Sequence, residues 1–250
     1  MTGKSALIVG ATGATGRHIL RALLASTVFT RVGEFGRKVT PEDQIAEHKA
    51  SGKLVQKVID FERVAEEGLG EGKWDVVFIT LGTTRKAAGS AEMFEKIDRE
   101  YVVNAARATK TQDPAHKQRV VYLSSAGADA SSHFLYTRSK GLTEQGLASI
   151  GFDDVVIFRP SFLAEANREQ PKPGEAFIGR AVGLLSVVAP NVQIPVPTLA
   201  QSMYKAGEVG SAALPTGIKT EQVRFKDASG KELSYTVIDT AAAVKLAGHA

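Results

Sequence analysis

The sequence of 250 residues contains no cysteine. This absence excludes disulfide bonds, thiolate metal sites and cysteine nucleophiles, and it suits a reducing compartment. No apolar run approaches the roughly 18–20 residues that a membrane-spanning helix needs. Because the first buried strand is expected by Ala6, we also predict no signal peptide. Any membrane association is therefore expected to be peripheral or to depend on a partner.

Strong charge bias is also missing. The net charge is +4 and the pI is about 9.2, a mild positive balance that suits phosphate-bearing ligands or an anionic membrane surface. Lys and Arg form no dense stripe interleaved with aromatic residues, so we predict no nucleic-acid partner, and we predict no metal site. A hydrophobic fraction of 43% and the chain length suit a single α/β domain over residues 1–250.

A strand, a glycine turn and a helix follow one another near the start of the chain. Ala6–Val9 is an uncharged apolar run, typical of a strand buried on both faces. Gly10, Gly13 and Gly16 come next, and apolar residues then recur at helical spacing over 19–24. In this context a glycine-rich turn predicts dinucleotide binding. A tight turn without a ligand is the alternative.

Each glycine has a physical reason in that prediction. Gly10 lets the chain turn sharply out of the strand, Gly13 lets the backbone approach a pyrophosphate, and Gly16 lets the helix pack closely on the strand. The free N–H groups and the positive dipole end of the helix then face the phosphates. The sequence therefore predicts a Rossmann-type, doubly wound parallel sheet.

The end of the second strand bears on the choice of cofactor. The segment Thr30–Phe35 indicates a strand interrupted by Gly33, and Arg37 and Lys38 follow it. Basic residues here accommodate the 2′-phosphate of NADP, whereas an acidic residue binds the ribose of NAD. Arg37 therefore favours NADP(H), provided that Glu34 lies within the strand. A solvated basic loop is the alternative.

Two further loops are expected to contact the cofactor. After a third strand over Leu54–Ile59, Asp60 is placed to accept from the adenine amino group and Phe61 to lie near its ring. A turn-forming Asp explains Asp60 equally well. A fourth strand is predicted over Trp74–Leu81, and Leu81 and Gly82 are expected to pass close to the cofactor because ligands bind at the carboxyl ends of such strands.

A serine, a tyrosine and a lysine suggest proton-transfer chemistry. Ser125 follows the fifth strand, Arg119–Leu123, and Tyr136 and Lys140 are four residues apart on one face of the next helix. A phenol with a pKa near 10 transfers protons poorly at neutral pH, and a neighbouring ammonium lowers that pKa. Ser125 is placed to orient a substrate carbonyl. This pattern, following the glycine turn, predicts general acid–base catalysis.

The other predicted elements carry less chemistry. Thr40 is expected to cap a helix that begins at Pro41, and a helix is expected over Ala91–Thr109, where Asn104 indicates a packing residue. The C-terminal part from about residue 161 is expected to form a flap and a small substrate region. Its predicted elements are a polar flap over 164–175, an apolar helix over 176–188, an extended segment over 192–199, a helix over 200–214, a hairpin at Ser229 and Gly230, and a final helix.

Several short motifs together resemble the HIV-Tat-interacting-protein type of atypical short-chain dehydrogenase, and most closely its fungal relatives, which are described as mitochondrial outer-membrane proteins. The resemblance covers about residues 5–210. The matching segments are Gly10–Gly16, Val58–Glu62, Leu81–Arg85, Lys96–Tyr101, Leu123–Asp129, Ser132–Tyr136 and Phe158–Pro160.

The resemblance implies an NADP(H)-binding Rossmann domain with peripheral association at the mitochondrial outer membrane. Without it, a cytoplasmic protein is expected. One departure is that Gly36 and Arg37 stand where the family has two consecutive arginines. The implied site residues are Thr12, Gly13, Ala14 and Thr15 at the phosphates, Arg37 at the adenosine phosphate, Leu81 and Gly82 beside the cofactor, Leu163 near the nicotinamide, and the catalytic pair Tyr136 and Lys140.

Two functions are compatible with this pattern. The first is an NADP-dependent oxidoreductase that reduces or oxidises a small carbonyl or alcohol substrate with Ser125, Tyr136 and Lys140. The second is a non-catalytic NADP(H)-binding regulator or scaffold whose affinity for a protein partner depends on the cofactor. The sequence does not determine the substrate, the reaction direction or the oligomeric state.

Overall fold

One sheet of eight strands runs through the computed structural model, which describes residues 3–164 and 193–249. The strand order is β3-β2-β1-β4-β5-β6-β10-β9, and β7 and β8 form a separate pair. The strands are β1 Lys4–Val9, β2 Phe29–Gly36, β3 Leu54–Val58, β4 Val76–Ile79, β5 Arg119–Leu123, β6 Asp154–Arg159, β7 Phe162–Ala164, β8 Gln193–Pro195, β9 Glu221–Lys226 and β10 Glu232–Asp239.

The first six strands are parallel, and the order of the chain through the sheet reverses between β1 and β4. A ligand crevice forms at such a reversal, outside the carboxyl ends of the strands. β10 is parallel to β6 and β9 is antiparallel to β10, joined by a turn in which Gly230 has a φ of +84°. The doubly wound sheet and the C-terminal hairpin predicted from the sequence are both confirmed.

Helices cover both faces of this sheet. They are α1 Gly16–Ala25, α2 Ala46–Ala50, α3 Arg85–Ala88, α4 Ala91–Glu95, α5 Tyr101–Thr109, α6 Leu135–Ala148, α7 Val196–Val209 and α8 Thr240–Gly248. Short 3₁₀ turns lie at Glu42–Gln44, Phe61–Glu66, Leu69–Gly72 and Ser211–Ala213, and a π turn at Lys96–Glu100 joins α4 to α5. No helix among the described residues has the length and apolar character to cross a membrane.

Alternate residues of β1 enter two different cores. Ala6 and Ile8 pack with α1, α7 and α8 on one face, whereas Leu7 and Val9 pack with α5 and α6 on the other. Because both faces are covered, β1 needs apolar residues at successive positions rather than an alternating pattern. The sequence suggested that Gly33 interrupts β2, but the strand is continuous through it. Glycine is needed at this position because a side chain would overlap the buried Trp74 ring at 2.7 Å.

The bounds of the helix predicted over 91–109 are confirmed, although that helix contains the π turn, which the apolar spacing did not indicate. Two other predicted boundaries were wrong. Thr40 does not cap a helix, because its hydroxyl donates to Glu34 and a 3₁₀ turn begins at Glu42 instead. The segment from Val196 is helical rather than extended, since Pro197 occupies the first turn of α7, where proline is tolerated.

The predicted flap and the apolar helix after it lie outside the described residues, apart from Ala164 in β7. The C-terminal hairpin does not stand apart from the sheet. β10 pairs with β6, so the last described strands extend the same sheet that carries the glycine turn.

Candidate cofactor and active site

The turn after β1 is fixed by close backbone contacts. Gly10 has a φ of +97°, and a Cβ there would lie 2.8 Å from the backbone nitrogen of Leu81. The Thr80 hydroxyl donates to the Gly10 carbonyl over 3.0 Å. Only glycine suits both the left-handed conformation and the close approach. The carboxyl ends of β1 and β4 are therefore tied together at the crevice.

Gly13 and Gly16 differ in what surrounds them. A Cβ on Gly16 would lie 2.1 Å from the Gly10 carbonyl oxygen, so α1 begins in direct contact with the turn. A Cβ on Gly13 would meet only that oxygen, at 3.3 Å, and would otherwise project into open space. The turn is thus packed tightly on its inner side and open on its outer side, where a phosphate would approach.

The open side presents unused donors. Within residues 3–164 and 193–249, the N–H groups of Thr12, Ala14 and Thr15 have no hydrogen-bond acceptor. The Nε of Arg17, in the first turn of α1, is buried and also lacks a partner in that part of the chain. Unpaired donors at the positive end of a helix suit an anion. These groups fit the pyrophosphate of a dinucleotide.

The acidic residue at the end of β2 does not face this site as a free carboxylate. Glu34 is fully buried within the strand and accepts hydrogen bonds from Thr40 and from Gln56, at 2.7–2.8 Å. Arg37 and Lys38 lie just beyond the strand and are exposed. The condition under which Arg37 favours NADP(H), that Glu34 lies within the strand, is therefore met.

The loop after β3 places Asp60 and Phe61 differently. Asp60 is exposed, and its carboxylate accepts from the Glu62 N–H over 2.9 Å at the start of a 3₁₀ turn. The Phe61 ring is only 8% exposed and stacks on Tyr101 with ring centroids 5.3 Å apart. Asp60 has the turn-forming role that the sequence left open, with its other oxygen unused in the described structure. The Phe61 ring is a core group and offers little surface to an adenine.

Leu81 and Gly82 end the β4 side of the crevice. Leu81 is partly buried against the core that contains α5 and α6. A Cβ on Gly82 would lie 3.1 Å from Asp98 Oδ1 and 3.6 Å from Lys140 Nζ, so Gly82 lies directly beside those two charges. Leu163, in β7, is half-buried and packs against the other core.

Lys140 is buried between two polar partners. Its ammonium nitrogen lies 3.0 Å from the Tyr122 hydroxyl and 3.1 Å from Asp98 Oδ2, and its side chain is 6% exposed. Burial alone would lower the pKa of Lys140, but the neighbouring Tyr122, Asp98 and Tyr136 raise it above its usual value. Lys140 is therefore a stable ammonium. Burial also raises the pKa of Tyr122, which stays a neutral phenol.

Tyr136 stands at the surface of the same helix. It is 45% exposed, and its ring packs against Phe94 at a centroid distance of 6.0 Å. Tyr136 and Lys140 lie one helical turn apart in α6, as the sequence predicted. In the described structure, however, the hydrogen bond of Lys140 goes to Tyr122, not to Tyr136. Ser125 is half-buried, and its hydroxyl donates to the Ala126 carbonyl over 3.1 Å.

A second buried charge lies one helical turn after Lys140. The fully buried Glu144 accepts from the Ser124 hydroxyl over 2.5 Å and from the Tyr235 hydroxyl over 3.0 Å. It also receives two bonds from the Arg159 guanidinium, at 2.5 and 3.0 Å. Hydrogen bonding to Glu144 raises the pKa of Arg159 despite burial, which alone would lower it. This network joins α6, β6 and β10 and fixes the residue immediately before Ser125.

A small cleft lies at the carboxyl ends of β6 and β10. Its volume is about 280 Å³, and it opens next to Ala126 and Gly127. Its polar lining consists of Arg159, Ser161, Glu221, Asp239 and Thr240. The described lining has several polar groups that suit a small polar ligand, but it does not include Ser125, Tyr136 or Lys140.

Sequence reasoning missed the residues that hold Lys140. Asp98 belongs to the Lys96–Tyr101 segment quoted for the family resemblance, but no role was assigned to it. Asn104, the polar residue singled out in that helix, is exposed and accepts from Arg107. The π turn explains why Asp98 is buried and Asn104 is exposed, because it shifts the helical register between these two residues. The spacing of Glu144, four residues after Lys140, could have indicated that a second charged residue lies on the same face of α6.

Comparison with known proteins agrees with this geometry. The model of a family described as NAD(P)H-binding matches residues 10–182. The chain belongs to the NAD(P)H-binding family. Among its relatives, rat protein HTATIP2 is 37% identical over 205 residues, which cover 81% of each chain. The mitochondrial protein fmp52 of Emericella nidulans is 36% identical over 214 residues, 85% of this chain and 86% of that protein.

Solved structures of this NAD(P)H-binding fold are similar in architecture. A short-chain dehydrogenase/reductase of Saccharomyces cerevisiae aligns with a TM-score of 0.63 over 95% of this chain and 96% of that one, at 14% identity. A UDP-Glc/GlcNAc 4-epimerase of Campylobacter jejuni aligns with a TM-score of 0.61 over 83% of this chain and 75% of that one, at 15% identity. The Rossmann-type fold and the resemblance to atypical short-chain dehydrogenases are confirmed.

Proposed function

We propose that this protein is an NADP(H)-dependent oxidoreductase acting on a small carbonyl or alcohol. The observation that carries the proposal is a buried ammonium, Lys140, one helical turn from an accessible phenol, Tyr136, at the carboxyl edge of a sheet whose first turn offers unpaired N–H groups. Backbone donors for phosphates and a proton-transferring side chain at the same edge are the parts that this chemistry needs.

Different residues of the chain bind the cofactor, transfer the proton and orient the substrate. When bound, the nicotinamide supplies or accepts hydride. The donors of Thr12, Ala14 and Thr15 hold the pyrophosphate, and Arg37 pairs with the adenosine 2′-phosphate. Tyr136 gives its phenolic proton to the substrate oxygen or takes one from it. Ser125, released from the Ala126 carbonyl, orients that oxygen, and Lys140 stabilises the phenolate.

A non-catalytic NADP(H)-binding regulator is the second candidate. The observation that favours it is that the Lys140 ammonium contacts Asp98 and Tyr122, and that Ser125 bonds to its own loop. In that case cofactor occupancy changes the affinity for a protein partner. The names of the fungal relatives support a mitochondrial location for either function, and we propose peripheral association with the outer membrane, where the mild positive charge suits an anionic surface.

Calorimetry with the purified protein tests the cofactor assignment first. We expect NADPH to bind and NADH to bind at least about tenfold more weakly, since one paired phosphate is worth more than 1.4 kcal/mol. Equal affinity for both would contradict the role of Arg37. The absence of binding to either would overturn both candidate functions.

A Tyr136→Phe variant separates the two candidates. We expect reduction of test carbonyls by NADPH to fall by about 10²- to 10⁴-fold while NADPH affinity is kept. Tyr204→Phe is the matched control, because Tyr204 bonds to Ser26 in the contact between α7 and α1. If Tyr136→Phe turns over like the parent protein, or if no carbonyl is turned over by either, the regulator is favoured.

A further inference from the structure

The carboxylate beside Lys140 has no part in the proton transfer just described. Asp98 is fully buried, and its Oδ2 forms an ion pair with Lys140 Nζ at 3.1 Å but accepts no hydrogen bond of regular geometry from the described residues. Its Oδ1 accepts from the Thr83 N–H over 3.2 Å, in the loop after β4. A carboxylate can be held here because Lys140 balances its charge.

The π turn sets the position of this carboxylate. Asp98 is the middle residue of Lys96–Glu100, between α4 and α5. The wider turn directs Asp98 inward, whereas its neighbours Lys96 and Arg99 form ion pairs nearer the surface with Glu62 and Glu95. Single π turns inside α-helices occur frequently at functional sites.

The other groups around Lys140 carry no competing charge. Tyr122 from β5 is a neutral phenol, and the loop after β4 contributes Gly82 and Thr83, which are uncharged. On α6, the Glu144 carboxylate is paired with Arg159, and Arg138 lies two residues from both Tyr136 and Lys140, on another side of the helix. Asp98 is thus the formal negative charge that faces the ammonium.

We propose that Asp98 is a positioning residue that balances the Lys140 ammonium, keeps the Tyr136 phenol protonated at neutral pH, and so suits the site to carbonyl reduction rather than alcohol oxidation. This inference rests on the proposed oxidoreductase function. An unbalanced ammonium one helical turn from Tyr136 would favour the phenolate, and a carboxylate in contact with that ammonium opposes the effect.

Carbonyl reduction at this site would consume one hydride and one proton. The carbonyl carbon receives hydride from the reduced nicotinamide, so the carbonyl is reduced by two electrons and the cofactor is oxidised by two. The Tyr136 O–H bond breaks, and its proton forms the hydroxyl of the product alcohol. The phenolate is stabilised by Lys140 until solvent returns the proton. A phenol that is already protonated at neutral pH enters this sequence without a prior protonation step.

The pH dependence of reduction tests the proposal, with Asp98→Asn as the variant. Asparagine keeps the acceptor for Thr83 but removes the charge. With NADPH and 9,10-phenanthrenequinone as probe substrates, we expect the alkaline limb of kcat/KM to move down by about one pH unit. Tyr122→Phe, which removes a hydrogen bond to Lys140 without changing formal charge, is expected to move it by less than half as much. An unchanged limb in Asp98→Asn overturns the proposal.

A measurement without turnover separates this inference from the proposed function. The protein is labelled with ¹³Cζ-tyrosine, and the Tyr136 resonance is assigned by its loss in Tyr136→Phe. Its titration midpoint in the cofactor-free protein should lie at lower pH in Asp98→Asn than in the parent. A shifted midpoint without carbonyl turnover refutes the oxidoreductase but supports the charge balance. An unshifted midpoint refutes the charge balance whatever the activity.

If Asp98→Asn does not fold, thermal stability of other variants tests the pairing of Asp98 with Lys140. The double variant Asp98→Asn/Lys140→Met removes both charges, and we expect it to recover at least half of the Tm that Lys140→Met loses. Recovery supports the pairing, because the single variant leaves a buried carboxylate unbalanced. A double variant no more stable than Lys140→Met overturns the proposal.

Discussion

The two ends of the candidate site are built in different ways. The phosphate end is backbone from one stretch of seven residues, Gly10–Gly16, and its donors are N–H groups that carry no titratable charge. The proton-transfer end is made of side chains from the π turn, β5 and α6, and the adjacent Glu144 network extends it to β6 and β10.

Because of this difference, the two ends are expected to tolerate different substitutions. The backbone end needs particular glycines, because added atoms would overlap the turn itself. The side-chain end needs particular charges, because Lys140 and Glu144 are both buried and each is held by an opposite charge. Substitutions should therefore damage the first end through volume and the second through charge. The predictions below test that distinction, from the largest expected effect to the smallest.

Glu144→Ala should be the most damaging change at the side-chain end. It leaves Arg159 and the hydroxyls of Ser124 and Tyr235 without their common acceptor. Breaking a buried ion pair on one side costs about 3–5 kcal/mol, and we expect that loss in the free energy of urea unfolding. Lys117→Ala is the control, since Lys117 is 74% exposed and its pair with Asp153 should contribute less than about 1 kcal/mol. Equal losses in the two variants would contradict the comparison.

Gly16→Ala tests the backbone end. The added methyl would lie 2.1 Å from the Gly10 carbonyl oxygen, so we expect a loss of about 1–3 kcal/mol from overpacking. Gly13→Ala is matched to it, because its methyl meets the same oxygen at 3.3 Å and leaves the fold in place. We expect Gly13→Ala to keep the melting temperature of the cofactor-free protein and to weaken NADPH binding in calorimetry. If the Gly13→Ala protein binds NADPH like the parent, the result would contradict phosphate binding at this turn.

Arg37→Ser tests a side-chain charge that lies outside the Gly10–Gly16 turn, at the end of β2. Loss of charge-assisted bonds to the 2′-phosphate should weaken NADPH binding about tenfold and leave NADH binding unchanged. Arg224→Ser is the control, because Arg224 is an exposed arginine of β9, at the far edge of the sheet from β2. Parallel weakening of both cofactors in Arg37→Ser would indicate a general effect on the fold.

His18 should give the smallest effect, in the pH dependence of stability. Burial, with Arg17 and Arg21 nearby, lowers the pKa of His18 below its usual 6.5. The unfolded chain therefore takes up a proton more readily than the folded one. The stabilisation is present above pH 6.5 and is lost as the pH falls through the lowered folded pKa.

Thermal unfolding between pH 8 and pH 5 measures this loss, with pH values chosen to bracket about 6.5. His18→Gln should flatten the fall in Tm on the acidic side. His48→Gln, in α2, should leave the fall as it is in the parent protein. If both histidine variants follow the parent curve, neither burial nor the nearby Arg17 and Arg21 lowers the pKa of His18 in the folded protein.

Some features of the protein could be predicted because their causes are local. The glycine spacing after Ala6–Val9 indicated the doubly wound sheet and the tight turn into α1, since strand, turn and helix follow one another within a few residues. The spacing of Tyr136 and Lys140 likewise follows from a single helix. The boundaries of β5 over Arg119–Leu123 were predicted without error, because that run is apolar and β-branched and is bounded by polar residues.

The sequence by itself therefore determined the fold class and the glycine turn, and it placed Tyr136 and Lys140 one turn apart on a single helix. Only the tertiary structure decided what Lys140 contacts. Asp98 reaches it through a π turn that apolar periodicity does not reveal, Tyr122 through the packing of β5 on α6, and Tyr235 joins the adjacent Glu144 network because β10 pairs with β6. The physical reason is that charge pairing in a buried site depends on distances between segments far apart in the chain. Local patterns do not encode those distances.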